Sequence, residues 1–284
     1  MLSKIKGLLA AMLTVASAST FSQDVIRVSG IPDENPTELA RKYQPMVDHL
    51  QKHLGAKVVY VPVIDYGAAV SALAAGKIDF AWLGGFTYVQ AKVMAGAKPL
   101  VMRDIDRKFK SVFIASSGSG INKPEEMKGK SFAFGAKSST SGHLFPRHFL
   151  KTNFQIDPDK DFAGQPVYSG AHDATVKMVE SGKVQSGALN IEVWNRMTEN
   201  NKYDKSRVKP IWTTPEYVDY VWTARKDLPP ELVQKFANAF LSLDESRPAD
   251  KQVLEIQGAH KFVTADPKDF DVIEQIGRST GLLK

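Results

Sequence analysis

Five consecutive residues, Ser138, Ser139, Thr140, Ser141 and Gly142, set four hydroxyls and a glycine at the junction between an apolar strand-like run and an apolar helical pattern. Phe132, Ala133 and Phe134 lead in and stop at Gly135; Leu144, Phe145, Phe149 and Leu150 follow at helical spacing. The first N–H groups of a helix lack an intrahelical acceptor and lie at the positive end of its dipole. Hydroxyls and amides gathered there can hold a phosphate-like anion. Pro146 supports the placement: deep in a helix a proline costs about 3 kcal/mol, but in the first turn its missing donor is no loss. The helix is therefore expected to begin near Ser141 or Gly142. The same residues also suit a plain N-cap at Ser139 or Ser141, and the stretch alone leaves both readings open.

A second signal is an internal repeat. The run YGAAVSALAAGKIDFAWLG from Tyr66 matches HDATVKMVESGKVQSGALN from His172. Tyr66 to His172, Gly76 to Gly182, Lys77 to Lys183 and Leu83 to Leu189 all differ by 106, and the same shift carries Ser29 onto Gly135. Two related lobes are expected. In open parallel sheets, ligands sit outside the carboxyl ends of strands, where the next helices begin. Tyr66 and His172 occupy equivalent helix starts, so each lobe offers one ring to a shared cleft. Asp219, just before the strand-like run at 221–224, is a further candidate for that cleft, with a bare turn aspartate as the alternative.

Other chemistries find less support. His49 and His53 have metal-ligand spacing on a helix, but they lie among Asp48, Gln51 and Lys52 on its polar face and lack a third ligand. There is no G-x-S-x-G elbow around Ser139 or Ser141, no carboxylate cluster for a metal and no Walker loop. No metal, no cofactor and no enzymatic activity are expected, with a hydrolase as the least favoured alternative.

The elements that would position these residues alternate in kind, which predicts an α/β fold of parallel layers. Strands are expected at 25–29, 57–63 and 78–83, with helices over 37–54, 66–75 and 86–95 closed by Gly55, Gly76 and Gly96. Further strands are expected at 100–102, 111–115, 185–189, 208–212 and 221–224, with helices near 192–200 and 231–241. The SSGSG run at 116–120 and the segment 213–220 read as the two crossings between lobes.

The 284-residue chain is long enough for two lobes, and its formal net charge of +6 falls to +4 without Lys4 and Lys6. The charges are scattered, so no nucleic-acid partner is implied. Lys4 and Lys6, the apolar run 8–15 and Ala16-Ser17-Ala18 form an export leader over 1–22, cleaved after Ala18 or Ser22. The apolar run is shorter than the ~20 residues that span a bilayer. With no cysteine there is no disulfide, lipidated N-terminus or thiolate metal site. A soluble, monomeric periplasmic protein is expected.

The stretches VPVIDYGAAVSALAAGKIDFAWLGGFTYV, GAKSSTSGHLFPRHFL, YSGAHDATVKMVESGKV and ARKDLPPELV together resemble the periplasmic phosphonate/phosphite-binding components of ABC transporters. The resemblance covers nearly the whole mature chain. It implies a type II periplasmic-binding-protein fold with lobe 1 from 23–116 plus 217–284 and lobe 2 from 117–216. It also implies that Ser139, Thr140 and Ser141 bind the oxyanion, with Tyr66, His172 and Asp219 completing the site. Where aminoalkylphosphonate binders carry a carboxylate for the ligand amine, this chain reads Ala188-Leu189-Asn190, with Glu192 two residues on. Asn190 is therefore a candidate contact, but an amine is not matched. The implied ligand is a small tetrahedral oxyanion (phosphite, phosphonate, phosphate or a selenate-like relative), and the implied partner is an inner-membrane permease. A sensor subunit for a membrane receptor is the alternative role. If His172 must be protonated to bind, affinity should fall as pH rises past about 6.5 to 7.5.

Overall fold

The computed structural model describes residues 25–284, so the expected leader lies outside the described residues. The chain runs β1 (Ile26–Gly30), α1 (Pro36–Leu54), β2 (Val58–Tyr60), α2 (Tyr66–Ala74), β3 (Phe80–Leu83), α3 (Gly85–Ala95), β4 (Lys98–Arg103) and β5 (Ser111–Ser116). It continues through β6 (Phe132–Phe134), α4 (Phe145–Phe154), β7 (Val167–Tyr168), α5 (His172–Glu180), β8 (Ser186–Asn190), α6 (Ile191–Glu199) and β9 (Val208–Thr213). The last elements are β10 (Val221–Ala224), α7 (Pro230–Leu241), α8 (Pro248–Gln257), β11 (Phe262–Thr264) and α9 (Asp271–Ser279).

These strands form two sheets, ordered β11-β4-β10-β3-β1-β2 and β7-β6-β8-β5-β9. In the first, β1 lies parallel between β2 and β3, and β10 runs antiparallel beside β3. The second copies this plan: β6 lies parallel between β7 and β8, and β5 runs antiparallel beside β8. The 106-residue shift carries both ends of α2 onto both ends of α5 and the first residue of β3 onto that of β8.

Local chemistry sets the helix starts that face the cleft. Asn35 caps α1 by accepting from the Thr37 and Glu38 N–H groups, with Pro36 just inside. Asp65 caps α2 through the Ala68 N–H at 2.7 Å. Phe80 to Leu83 are all buried, as expected of a strand covered on both faces.

One crossing differs from expectation. β5 pairs with β8 from Ser111 opposite Asn190 to Ala115 opposite Ser186, and with β9 on its other side, so it belongs to the second lobe. The first crossing is therefore residues 104–110, and the SSGSG run is a turn beyond β5 inside lobe 2. Its glycines mark flexibility, but the buried Val112, Phe113, Ile114 and Ala115 decide where the strand packs. Residues 214–220, between β9 and β10, form the second crossing. The two crossings are bonded to each other: Phe109 and Tyr217 exchange N–H···O bonds of 2.8 and 2.9 Å, and the Asp219 N–H donates to the Asp106 carbonyl at 3.0 Å. The C-terminal region contributes β11 to the edge of the first sheet.

Beside the first crossing lies a buried ion pair. Arg103 donates from Nε and Nη2 to Asp106 at 2.8 and 2.6 Å and from Nη1 to the Gln257 carbonyl at 2.9 Å.

Candidate functional site

The carboxyl ends of β1, β3, β6 and β8 face a common seam, closed on one side by the 214–220 crossing. Ser139 starts the helical turn Thr140–Leu144 that leads into α4, and its Oγ accepts from the Gly142 N–H at 2.9 Å. The helix begins where expected, but its first turn is the wider π type, a form that recurs at functional sites. The Ser141 carbonyl accepts from the Ser111 hydroxyl at 2.7 Å. Ser139, Thr140 and Ser141 are all buried.

Two of their neighbours come from the other lobe. Thr140 Oγ1 accepts from the Phe86 N–H at 2.9 Å, and Asp219 Oδ1 accepts from the Gly85 N–H at 2.9 Å. Both donors belong to the first turn of α3, whose cap, Gly84, supplies no side chain. A Cβ at Gly84 would lie 3.1 Å from Thr140 Oγ1 and 3.2 Å from Asp219 Oδ1, so glycine permits the close approach.

Among the described residues, three buried side-chain polar atoms lack a hydrogen-bond partner: Tyr66 Oη, Asp219 Oδ2 and Trp222 Nε1. The first two meet at this seam. Burial, helped by the Asp33 and Asp219 carboxylates, pushes the Tyr66 phenol well above its ordinary value, so it remains a donor. Burial pushes Asp219 up to about 7, against partial relief from the Gly85 N–H and the nearby Thr140 hydroxyl. Asp219 thus changes charge near neutral pH. No lysine or arginine hydrogen-bonds to Ser139, Thr140, Ser141, Tyr66, His172 or Asp219 among the described contacts. An anion here would be met by hydroxyls, a phenol and helix-start amides.

His172 stands at the N-terminus of α5, and a Cβ at Gly142 would lie 3.1 Å from its Cε1. Its Nδ1 accepts from the Asn190 N–H at 3.3 Å, which leaves the proton on Nε2, 3.4 Å from Tyr220 Oη. Tyr220 in turn accepts from Asn190 Nδ2 at 2.9 Å and donates to Asp33 Oδ2 at 3.0 Å.

The lobes also touch directly. The His172 N–H donates to the Asp33 carbonyl at 2.9 Å, and Asn35 donates twice to Asp173 Oδ2, at 3.1 and 2.9 Å. Glu34 pairs with Lys42 on its own lobe and Arg196 on the other. Burial opposes the charge on Glu34, but these two cations hold its carboxyl down to about 2.

With that seam assembled from both lobes, comparison with known proteins gives its context. The family described as ABC transporter, phosphonate, periplasmic substrate-binding protein matches residues 28–270. The chain belongs to this family. It is 36% identical over 287 residues to the probable ABC transporter phosphite binding protein PhnD1 of Prochlorococcus marinus (strain MIT 9301), covering 96% of each chain. It is 30% identical to the phosphate-import protein PhnD of Mycolicibacterium smegmatis, covering 76% of this chain and 71% of the relative. The solved structure of PhnD1 in complex with methylphosphonate superposes with a TM-score of 0.87 at 34% identity, covering 91% of this chain and 99% of that one.

In this phosphonate-family binding protein, the fold brings Tyr66, Ser139, Thr140, Ser141, His172, Asn190 and Asp219 to one seam. Two expectations change within it. Burial pushes the His172 ring down to about 3, so it does not titrate between pH 6.5 and 7.5. Asn190 Oδ1 is taken by the Glu192 and Val193 N–H groups as the cap of α6, so only its Nδ2 faces the seam, and that donates to Tyr220. Sequence reasoning missed Asp33, Tyr220 and the α3 amides. The Gly84-Gly85 pair after β3, and the position of Asp33 just past β1, were the available signals. The His49 and His53 ring nitrogens bond to the Ala239 and His49 carbonyls at 2.7 and 2.9 Å, and no group of three or more metal-ligating residues occurs among the described residues.

Proposed function

We propose that this protein captures a small phosphorus oxyanion that keeps one O–H, such as phosphite or a small alkylphosphonate, and hands it to an inner-membrane permease. The convergence of two buried, unpartnered groups, Tyr66 Oη and Asp219 Oδ2, on the Ser139–Ser141 turn carries this reading. The phenol donates to an anionic oxygen, and the ionised carboxyl accepts from the one oxygen that holds a proton. The serine and threonine hydroxyls and the leading amides of the turn meet the remaining charge. A sulfate-like dianion has no proton for Asp219 and would face its negative charge in a buried site. The ligands named for the relative PhnD1, phosphite and methylphosphonate, are of this kind. A cleaved leader and a monomeric, non-hydrolytic binding cycle complete the reading.

Calorimetry across phosphite, methylphosphonate, aminoethylphosphonate, phosphate, sulfate and selenate tests it. A hydrogen bond to a charged group is worth about 1.5 to 3 kcal/mol, so Ser141→Ala is expected to weaken binding roughly ten- to a hundredfold. Tight binding of sulfate or selenate at pH 8 would overturn the assignment of Asp219.

Closure follows from the same contacts. Glu34–Arg196 and Asn35–Asp173 join the lobes away from the oxyanion turn, so they favour the closed arrangement whatever the ligand. Arg196→Ala is expected to raise the ligand off-rate about fivefold and leave the on-rate unchanged, the effect of about 1 kcal/mol. Stopped-flow tryptophan fluorescence would read both rates, since Trp82 stacks on Tyr220 with ring centroids 5.6 Å apart. A slower on-rate with an unaltered off-rate would count against this role.

A further inference from the structure

A second histidine, outside the seam, holds the loop that carries the oxyanion turn. His143 is 1% exposed, and its Nδ1 lies 2.7 Å from the carbonyl oxygen of Lys137. On the other side of the ring, Arg147 Nε lies 3.1 Å and Tyr168 Oη 3.2 Å from Nε2. A guanidinium N–H can only donate, so Nε2 must present its lone pair and the proton must sit on Nδ1, donating to Lys137. Arg147 is itself fixed by Asp159 at 2.8 Å, and the imidazole packs edge-on against Phe134 and Tyr168, with ring centroids 4.7 and 5.0 Å away. The result is a chain from Asp159 through Arg147 and His143 to the backbone of the loop.

The far end of the loop is tied to Ser111 through the Ser141 carbonyl and to α3 through Thr140 Oγ1, whereas the other backbone ties of the outer bend are internal. Gly135 N–H donates to the Gly142 carbonyl, Ser139 N–H to Ala136 and Leu144 N–H to Ser139. The Lys137 side chain points outward and is exposed, with its ammonium 5.5 Å from the Tyr168 ring centre. Its carbonyl is where the outer bend is anchored to the body of lobe 2. Burial, with the Arg147 and Lys137 charges nearby, outweighs the hydrogen bond to the Lys137 carbonyl and the Asp159 carboxylate and pushes His143 down to about 4, so the ring stays neutral throughout the neutral range.

We propose that His143 is a positioning residue for oxyanion capture: its Nδ1–H to the Lys137 carbonyl keeps the 136–142 loop in its binding geometry before ligand arrives. This rests on the reading of Ser139, Thr140 and Ser141 as the oxyanion site. A loop that spends only about a tenth of its time in the competent form weakens apparent affinity about tenfold, although every contact to the ligand is kept.

The experiment compares His143→Leu, which fills the space without a donor, with His143→Asn, whose amide nitrogen occupies the place of Nδ1. Methylphosphonate and phosphite are titrated calorimetrically at pH 7.5, with thermal unfolding measured alongside. His143→Leu is expected to bind about tenfold more weakly and His143→Asn within about threefold of the parent. Equal loss in both variants would assign the residue to packing, and parental affinity in His143→Leu would remove the role; either overturns the proposal. Should His143→Leu fail to fold, nitrogen-15 spectra of the ligand-free parent decide. A protected Nδ1–H on a neutral His143 supports the proposal, and an Nε2–H tautomer or a charged ring refutes it. Ser141→Ala, run in parallel, separates the two layers. Parental affinity there removes the oxyanion assignment itself, whereas weakening there with none in His143→Leu removes only the positioning role.

Discussion

At pH 8, ligand-free Asp219→Asn protein is expected to be more stable than its parent, while binding phosphite far more weakly. The Asp219 carboxyl titrates at about 7 in the folded chain against a reference of 3.8, because burial opposes its charge. The native state therefore keeps a proton that the unfolded chain has released. The contribution of this group is fully present below about pH 4 and is lost as pH rises through about 7. A difference of roughly three pH units corresponds to at most about 4 kcal/mol. Asparagine cannot ionise, yet it still accepts from the Gly85 N–H. Its advantage over the parent should be small near pH 4 and grow to about 10 °C in melting temperature by pH 8. Asp33 and Asp106 are also shifted upward, but they are common to both proteins and cancel in the comparison. Scanning calorimetry from pH 4 to pH 8 checks this, and parallel curves for the two proteins would refute it. The binding loss has the opposite origin: the amide turns a donor toward the ligand O–H, which should move preference from phosphite toward sulfate-like dianions.

Removing Arg103 should be the most damaging single change outside the seam. Asp106 is fully buried, and two of the bonds to its carboxylate come from the Arg103 guanidinium. Arg103→Met keeps much of the aliphatic stem but removes the guanidinium, which lies 5.4 and 5.3 Å from the Trp82 and Tyr220 ring centres, and leaves the carboxylate facing an apolar wall. Breaking a buried pair by removing one partner typically costs about 3 to 5 kcal/mol, or roughly 10 °C for a chain of this size. Because a well-packed neutral pair can replace buried charges, adding Asp106→Asn to Arg103→Met should recover part of the loss. Thermal unfolding of both single variants and the double variant measures this coupling; a double variant as unstable as the sum of the singles would argue against a charge effect. The Asp106 carbonyl holds the Asp219 N–H, so ligand affinity should fall along with stability.

Much of the site was legible because the chain states its architecture twice. The constant offset between Tyr66 and His172 located two equivalent helix starts, and the carboxyl-end rule aimed both at one place. Ser139 to Ser141 were legible from the abrupt change between strand and helix patterns. What escaped depended on partners far away in the chain. Nothing in SVFIAS says that it pairs with 186–190 rather than with lobe 1, and the three-residue strand 262–264 is too short to stand out from its helical surroundings. The titration of His172 was misjudged because an isolated histidine is poised near neutral pH, whereas total enclosure by both lobes favours its uncharged form. Tyr220 and Asp33 went unnoticed because their role comes from bonding to each other across 187 positions.

The placement of β10 sets an order of events during folding. Lobe 2 is built from the unbroken stretch 111–213, so its sheet has all its strands once that stretch is available. Lobe 1 is not so fortunate: β10 lies between β3 and β4, and until residues 221–224 arrive its β2-β1-β3 half has no strand connecting it to β4. Residue 219, which completes the seam, is anchored immediately before that late strand. A nascent or truncated chain ending short of β10 would thus carry a complete Thr140–Leu144 turn on lobe 2 while the sheet of lobe 1 opposite it was still divided. On the function proposed above, capture competence is acquired only after nearly the whole polypeptide has been made.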